Sequence, residues 1–201
     1  MVQYSSMGRT REFDEDFALE AATRVFWARG FDAAAMPMLL EEMGLSKSSF
    51  YEAFESKDAL FQRCVSNYAD KMIFEFRAAL ERSPSGLDFI RGVLQGVADQ
   101  AKDEKTRLGC LIMNTATEFG QRVPAIAQLV THHLGRFEDV FARALERAKD
   151  DGEWESARPT RSVARYLVCG LSGLKTMVKA GASRASLRET ASLLLSVLEP
   201  Q

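Results

Sequence analysis

The residues best suited to contacting a charged partner are Lys47, Ser48, Ser49 and Tyr51, with Lys57 shortly after them. Cations, hydroxyls and a phenol in one short run are donors suited to phosphate oxygens and to base edges. The three cysteines (Cys64, Cys110, Cys169) form no CxxC pair and lie near no histidine pattern, so neither a disulfide scaffold nor a zinc site is expected. His132 and His133 are adjacent, and on a helix they diverge by about 100°, too far to chelate one ion together. They are expected to face solvent or an interface. No Gly-rich phosphate loop and no Ser/His/Asp or Cys/His set at catalytic spacing is present. The chain is therefore read as a non-enzyme that needs no metal and no cofactor.

The donors need a rigid mount, and the flanking sequence supplies one. Met36, Leu39, Leu40 and Met43 recur at the i, i+3, i+4, i+7 spacing of a helix with one apolar side. Pro37 suits the first turn, where its missing N–H costs nothing, and Gly44 suits a left-handed exit. Ser46 can cap a second helix whose inward side is Phe50 and Phe54. Two short helices joined by a tight glycine turn make a helix-turn-helix over about residues 35–54. Lys47, Ser48, Ser49, Tyr51 and Glu52 then lie on the outward side of its second helix. Lys57 opens the next helix, where a cation opposes the helix dipole by roughly 0.3–1 kcal/mol. A phosphate shared by its ammonium and the helix N–H groups would explain that placement.

The run Gly44–Phe61, GLSKSSFYEAFESKDALF, resembles the signature of the tetracycline-repressor (TetR/AcrR) family of bacterial transcription regulators. That signature reads Gly-x-Ser-x-Gly-x-x-Tyr-x-His-Phe-x-x-Lys-x-x-Leu, and Gly44, Ser46, Tyr51, Phe54, Lys57 and Leu60 match it. Ser48 replaces the usual glycine, Ala53 the usual histidine, and Ala35 a frequent phosphate-contacting Thr or Ser. The resemblance is specific over roughly residues 10–65 and looser to the C-terminus. It implies an all-α fold with a three-helix DNA-binding head (1–55) and a six-helix regulatory and dimerisation body (56–201). It also implies a homodimer that places two recognition helices on a palindromic double-stranded DNA operator. A small, mainly apolar effector would release the operator, with repression as the default role. Lys47, Ser48 and Ser49 would then approach bases, while Tyr51, Lys57 and an arm carrying Arg9 and Arg11 would hold the backbone.

The whole-chain properties fit a globular regulator, with one tension. The 201 residues are 46% hydrophobic and 27% charged, ordinary values for a folded domain of this size. No run approaches a membrane span, and the first residues lack the apolar core of a secretory signal, so a reducing cytoplasm is the expected location. The tension is charge. The first sixty residues carry six bases against eleven acids, a balance of −5, where a DNA reader should be basic. Lys47, Lys57, Arg9 and Arg11 are expected at the DNA face, with the acids behind. Few phosphate contacts per half-site and no strong non-specific binding follow.

Helical periodicity places further helices at about 12–29, 56–82, 86–103, 124–149, 160–180 and 184–198, with a short one after Gly109. The last two carry more apolar residues than one face can hold, among them Val168, Leu171, Val178, Leu193 and Val197. The family resemblance makes this pair a four-helix dimer interface, assigned to Leu167, Leu171, Leu174, Val178, Leu187, Leu194 and Leu198. Phe76, Phe89, Met113, Phe119, Phe137 and Met177 are the candidate effector-pocket residues. The run Gly109–Asn114 is similar to one in family members that sense electrophiles through a cysteine. Cys110, with Lys175 to lower its pKa, is accordingly a candidate sensor. The competing reading is a small buried hydrophobe. A last alternative is an all-α small-molecule binding protein with weakened DNA binding, suggested by Ala35, Ala53 and the acidic head.

Overall fold

The computed structural model of the chain describes residues 14–102, 107–120 and 122–199. Among them all regular structure is helical: α1 (Glu15–Arg29), α2 (Met36–Met43), α3 (Lys47–Phe54), α4 (Lys57–Arg82), α5 (Gly86–Gly96), α6 (Leu111–Phe119), α7 (Pro124–Asp150), α8 (Thr160–Lys179) and α9 (Arg184–Leu195). Five of these N-termini follow one rule. Asp14, Ser46, Ser56, Ser85 and Ser183 each accept a hydrogen bond from the backbone N–H three residues on, satisfying one donor that the first turn cannot pair. Gly44 ends α2 in the left-handed conformation (φ 66°, ψ 29°) and donates to Glu41 and Leu40 carbonyls, the geometry only glycine adopts without strain.

The head is a small aromatic core. Phe26 of α1, Leu39 of α2, Phe50 and Phe54 of α3, and Leu60 and Phe61 of α4 are all fully buried. The α1 stripe is Ala18, Leu19, Ala22, Val25 and Phe26, joined by Ala21. Helix α4 belongs to both halves. Its 26 residues span about 39 Å; Leu60, Phe61 and Cys64 pack on the head, and Ile73 and Leu80 belong to the body.

In the body α7 is central, flanked by α4, α5, α6 and α8. Gly86 lets α5 approach it, since a Cβ there would lie 1.9 Å from the Ala144 carbonyl oxygen. The predicted helix over 86–103 stops at Gly96 and tightens into a 3-10 segment, Val97–Lys102. Gly92 and Gly96 weaken the helix there.

One expectation is corrected, and most of the side chains assigned to pairing lie deep in the protomer. Leu167, Leu174, Val178 and Leu187 are at most 1% exposed, and Leu171 and Leu198 are also buried inside the protomer. Leu194 packs where Gly170 leaves room, with its Cδ2 2.7 Å from where a Gly170 Cβ would sit. Within the protomer these side chains join α8 and α9 to their own core, with Leu194 half-buried. Periodicity marks a buried stripe without saying which partner buries it. His133 is also no surface residue. It is buried at 3% exposure between α7 and α4, with Nε2 3.4 Å from Ser66 Oγ and Nδ1 3.4 Å from Arg136 Nη1. Arg136 in turn pairs with Asp70 of α4.

Candidate nucleic-acid interface and effector cavity

Burying Phe50 and Phe54 fixes the roll of α3 and turns Lys47, Ser48, Tyr51 and Glu52 outward. Tyr51 is 46% exposed, its ring edge-on to Phe50 at 5.2 Å. No partner for its hydroxyl occurs among the described residues, which leaves the group available to a ligand. Ser48 and Ser49 are less free. Their hydroxyls lie 2.9 and 2.8 Å from Ser46 Oγ, which also accepts the Ser49 N–H at 3.1 Å. The three serines form one hydroxyl cluster at the α3 N-terminus, the end whose unpaired N–H groups and dipole favour an anion. Arg9 and Arg11 lie outside the described residues.

Lys57 does not project freely. Its ammonium lies over the ring of Phe31, 4.4 Å from the centroid, a cation–π contact. Phe31 is the second residue after α1, and it packs in turn on Phe26, Phe61 and Phe119. Ala35 caps α2 without a side-chain hydrogen bond, so the hydroxyl often found at that position has no substitute here. Several head acids are held on the body side: Glu15 pairs with Arg63 and Glu20 with Lys71, both bases on α4. The Lys71 ammonium, by hydrogen bond and charge, holds the Glu20 carboxyl below its usual pKa. Glu41, Glu42 and Glu52 stay exposed on α2 and α3.

The turn from α3 into α4 is strained. Glu55 has φ 62° and ψ −48° and carries the chain's one positive φ outside glycine among the described residues. The Ser56 N–H reaches the Phe54 carbonyl at 2.6 Å across it. That is the rare γ-turn of positive φ. It sets the angle between the recognition helix and Lys57.

The body holds a largely apolar cavity walled by Tyr68, Met72, Phe76, Ile112, Leu134, Phe137 and Leu171, with Cys110 and Lys175 on the same wall. Of the six candidate pocket residues, Phe76 and Phe137 line it. Phe89 lies one layer out, its ring against Phe76 and Phe141. Phe119 faces the head instead, against Phe31 and Phe61. Met113 opens onto a groove between α1 and α6. Met177 packs half-buried on the core without reaching the cavity. The cavity measures only about 30 Å³, room for roughly one water. Lys175 donates to Gln100 Oε1 at 2.8 Å, and burial holds its pKa below the ordinary lysine value. Burial also raises the pKa of Tyr68, with the neighbouring Cys110 adding to the shift. The cavity role of Tyr68 has no separate signal in the sequence.

Residues 18–64 match the bacterial regulatory proteins of the tetR family, and residues 86–194 match the tetracyclin repressor-like C-terminal domain. The chain belongs to the TetR family. A TetR-family relative, the uncharacterized HTH-type transcriptional regulator YezE of Bacillus subtilis, is 30% identical over 194 residues, which is 96% of this chain and all of YezE. The HTH-type transcriptional repressor ComR of Escherichia coli is 25% identical over 191 residues, 94% of this chain and 91% of ComR. Among solved structures, a cysteine mutant of the TetR-family regulator CifR in complex with 26-bp double-strand operator DNA superposes with a TM-score of 0.83. It is 26% identical to this chain, covering 95% of it and all of CifR. The chain is thus a TetR-family transcriptional regulator, a family of regulators and not of enzymes. No helix among the described residues is long and apolar enough to cross a membrane.

Proposed function

We propose that the chain is a homodimeric repressor that grips a palindromic operator through α3 and releases it when a small, mainly apolar effector opens the body cavity. The observation that carries this reading is the outward face of α3. Lys47 and Tyr51 stand one turn apart and exposed, above buried Phe50 and Phe54, on a glycine-turned helix pair. Lys47 and the serine cluster approach bases, and Tyr51 and Lys57 hold phosphates. Arg9 and Arg11 are proposed to extend the grip. ComR, named a repressor, and CifR, solved on operator DNA, support the assignment.

The pairing face is proposed to be the outward side of α8 and α9. Leu193 is 67% exposed and Tyr166 44%, with exposed Cys169 and Gly173 beside them. Small residues there let two helix pairs approach closely. Pairing would set the heads one helical turn apart, about 34–36 Å. Selection from a random duplex pool should return an inverted repeat with half-sites about 10 bp apart. A Lys57→Ala/Tyr51→Ala double variant should lose it. A selection that returns no specific duplex would favour the carrier reading, in which the head no longer reads DNA.

A second reading rests on one juxtaposition, that Cys110 and Lys175 share the cavity wall. We propose that Cys110 can act as the sensor there. Its sulfur bonds to one carbon of an activated alkene, the π electrons move to the adjacent carbon, and a proton taken up there completes the adduct. Mass spectrometry of the protein after N-ethylmaleimide treatment tests it. One adduct at Cys110 that disrupts operator binding, absent in Cys110→Ser, is expected. Adducts confined to the exposed Cys169 would refute it.

A further inference from the structure

The loop between α1 and α2 leaves two backbone amides, those of Phe31 and Asp32, that no neighbour among the described residues of the head accepts. Their acceptor comes from the body. Glu118, in the last turn of α6 and 87 residues from Phe31, accepts the Phe31 N–H at 2.8 Å and the Asp32 N–H at 3.3 Å, both through Oε1. Gly30 makes room for this carboxylate. A Cβ there would sit 3.2 Å from Glu118 Oε2 and 3.3 Å from Oε1, on a backbone already at φ +80°.

The next residue continues the contact. Phe119 lies 5.4 Å from the Phe31 ring and 5.3 Å from Phe61, so the Phe31 ring is held on one side by Phe119 and from below by Phe61. The Lys57 ammonium rests on the same Phe31 ring. The contacts form one series: Glu118 carboxylate to Phe31 amide, Phe31 ring to Lys57 ammonium, at the entrance to α4. An acid with no role would sit solvated and pair with the nearest base. Glu118 instead has no ion-pair partner among the described residues, and spends its oxygen on two amides of the other half of the molecule.

We infer that Glu118 is a positioning residue for operator binding: it fixes Phe31, and through that ring sets where Lys57 presents its charge. The inference rests on the reading of Lys57 as a phosphate contact. Its essential chemistry is acceptance, not charge, because both amides meet one oxygen and a glutamine carbonyl can replace it.

The full-length chain tests this with its selected duplex. Glu118→Ala should weaken binding at least fivefold, and Glu118→Gln should stay within twofold of the unsubstituted protein. In a Lys57→Ala background, Glu118→Ala should add less than twofold. A merely structural role would lower the melting temperature of both variants and give additive losses. Equal weakening by Gln and Ala, or full additivity with Lys57→Ala, overturns the inference. If Lys57→Ala alone leaves binding unchanged, the reading of Lys57 has failed and takes the route through Phe31 with it. Amide exchange separates the two failures. Glu118→Ala should speed exchange at Phe31 and Asp32 at least tenfold, and unchanged exchange shows that Glu118 does not hold the loop at all.

Discussion

Replacing Tyr51 by Phe removes one hydroxyl and nothing else. The ring stays against Phe50, and no hydrogen bond among the described residues is lost, so stability should move by less than about 0.5 kcal/mol. Operator binding should respond strongly. A hydrogen bond to a charged acceptor contributes about 1.5–3 kcal/mol, and the half-exposed site argues for the lower figure. A dimer loses two such bonds, about 3 kcal/mol, or roughly 150-fold in Kd. Lys57→Ala, at the proposed phosphate contact, separates charge from hydrogen bonding. Each lost phosphate charge lowers the slope of log Kobs against log salt by about 0.9, so two lost contacts flatten it by about 1.8. Tyr51→Phe should leave the slope alone. Fluorescence anisotropy on the selected duplex at several salt concentrations measures both quantities. A Tyr51→Phe affinity within twofold of the parent, or an unchanged slope in Lys57→Ala, would show that Tyr51 and Lys57 do not hold the backbone as described.

Three other perturbations have defined outcomes. Glu55→Gly relieves a positive φ on a side-chain-bearing residue and should raise the chemical-denaturation stability by about 1 kcal/mol; a loss of stability would mean that the Glu55 side chain contributes more than its strain costs. Leu193→Glu places charge on the proposed pairing face, where the parent leucine is 67% exposed. Sedimentation should show monomers with an unchanged helical signal, and an intact dimer would move the interface elsewhere. His133 should give the stability a pH slope. Desolvation first, then the Arg136 and His132 charges, lower its pKa below 6.5, against a raising contribution from Asp70. The folded state therefore favours the neutral ring, and the unfolded chain binds the extra proton. Stability is fully present above about pH 6.5 and falls as pH drops below it. His133→Gln should flatten the melting-temperature profile across that window; the same slope in the variant would assign it to another group.

The head was nearly all legible, because its signals are local. Gly44 has to be left-handed, Ser46 and Ser56 have to cap, and Phe50 with Phe54 at helical spacing can face only one core. The body was legible as helices and less so as surfaces. Leu167 and Leu187 carry the same period whether a twin or the chain's own core buries them, and the core does so. The actual outward face of α8 shows Tyr166, Cys169 and Gly173, too few and too small to register as a stripe. His133 was hidden for a related reason: a histidine reads as polar, and only the Ser66, Asp70 and Arg136 groups around it show why a neutral ring is tolerated there. Aromatic spacing likewise could not tell Phe137, which walls the cavity, from Phe119, which walls the head.

The size of the cavity constrains how any effector must act. About 30 Å³ does not admit an organic molecule, so an occupant has to displace part of the wall. One segment beside that wall connects directly to the head. Cys110 and Ile112 stand on the cavity at the start of α6, and Glu118 and Phe119 grip the α1–α2 loop at its end. The nine residues of α6 contain no glycine or proline, and a helix that short, about 13 Å, moves as a rod. Thr115 ties its own turn by donating to the Leu111 carbonyl at 2.8 Å. A shift at the cavity end therefore reaches Phe31 and Lys57 with little taken up on the way. On the proposed reading, an effector gains its differential affinity from opening this wall, and the free energy it gains there is the most it can take from the operator complex.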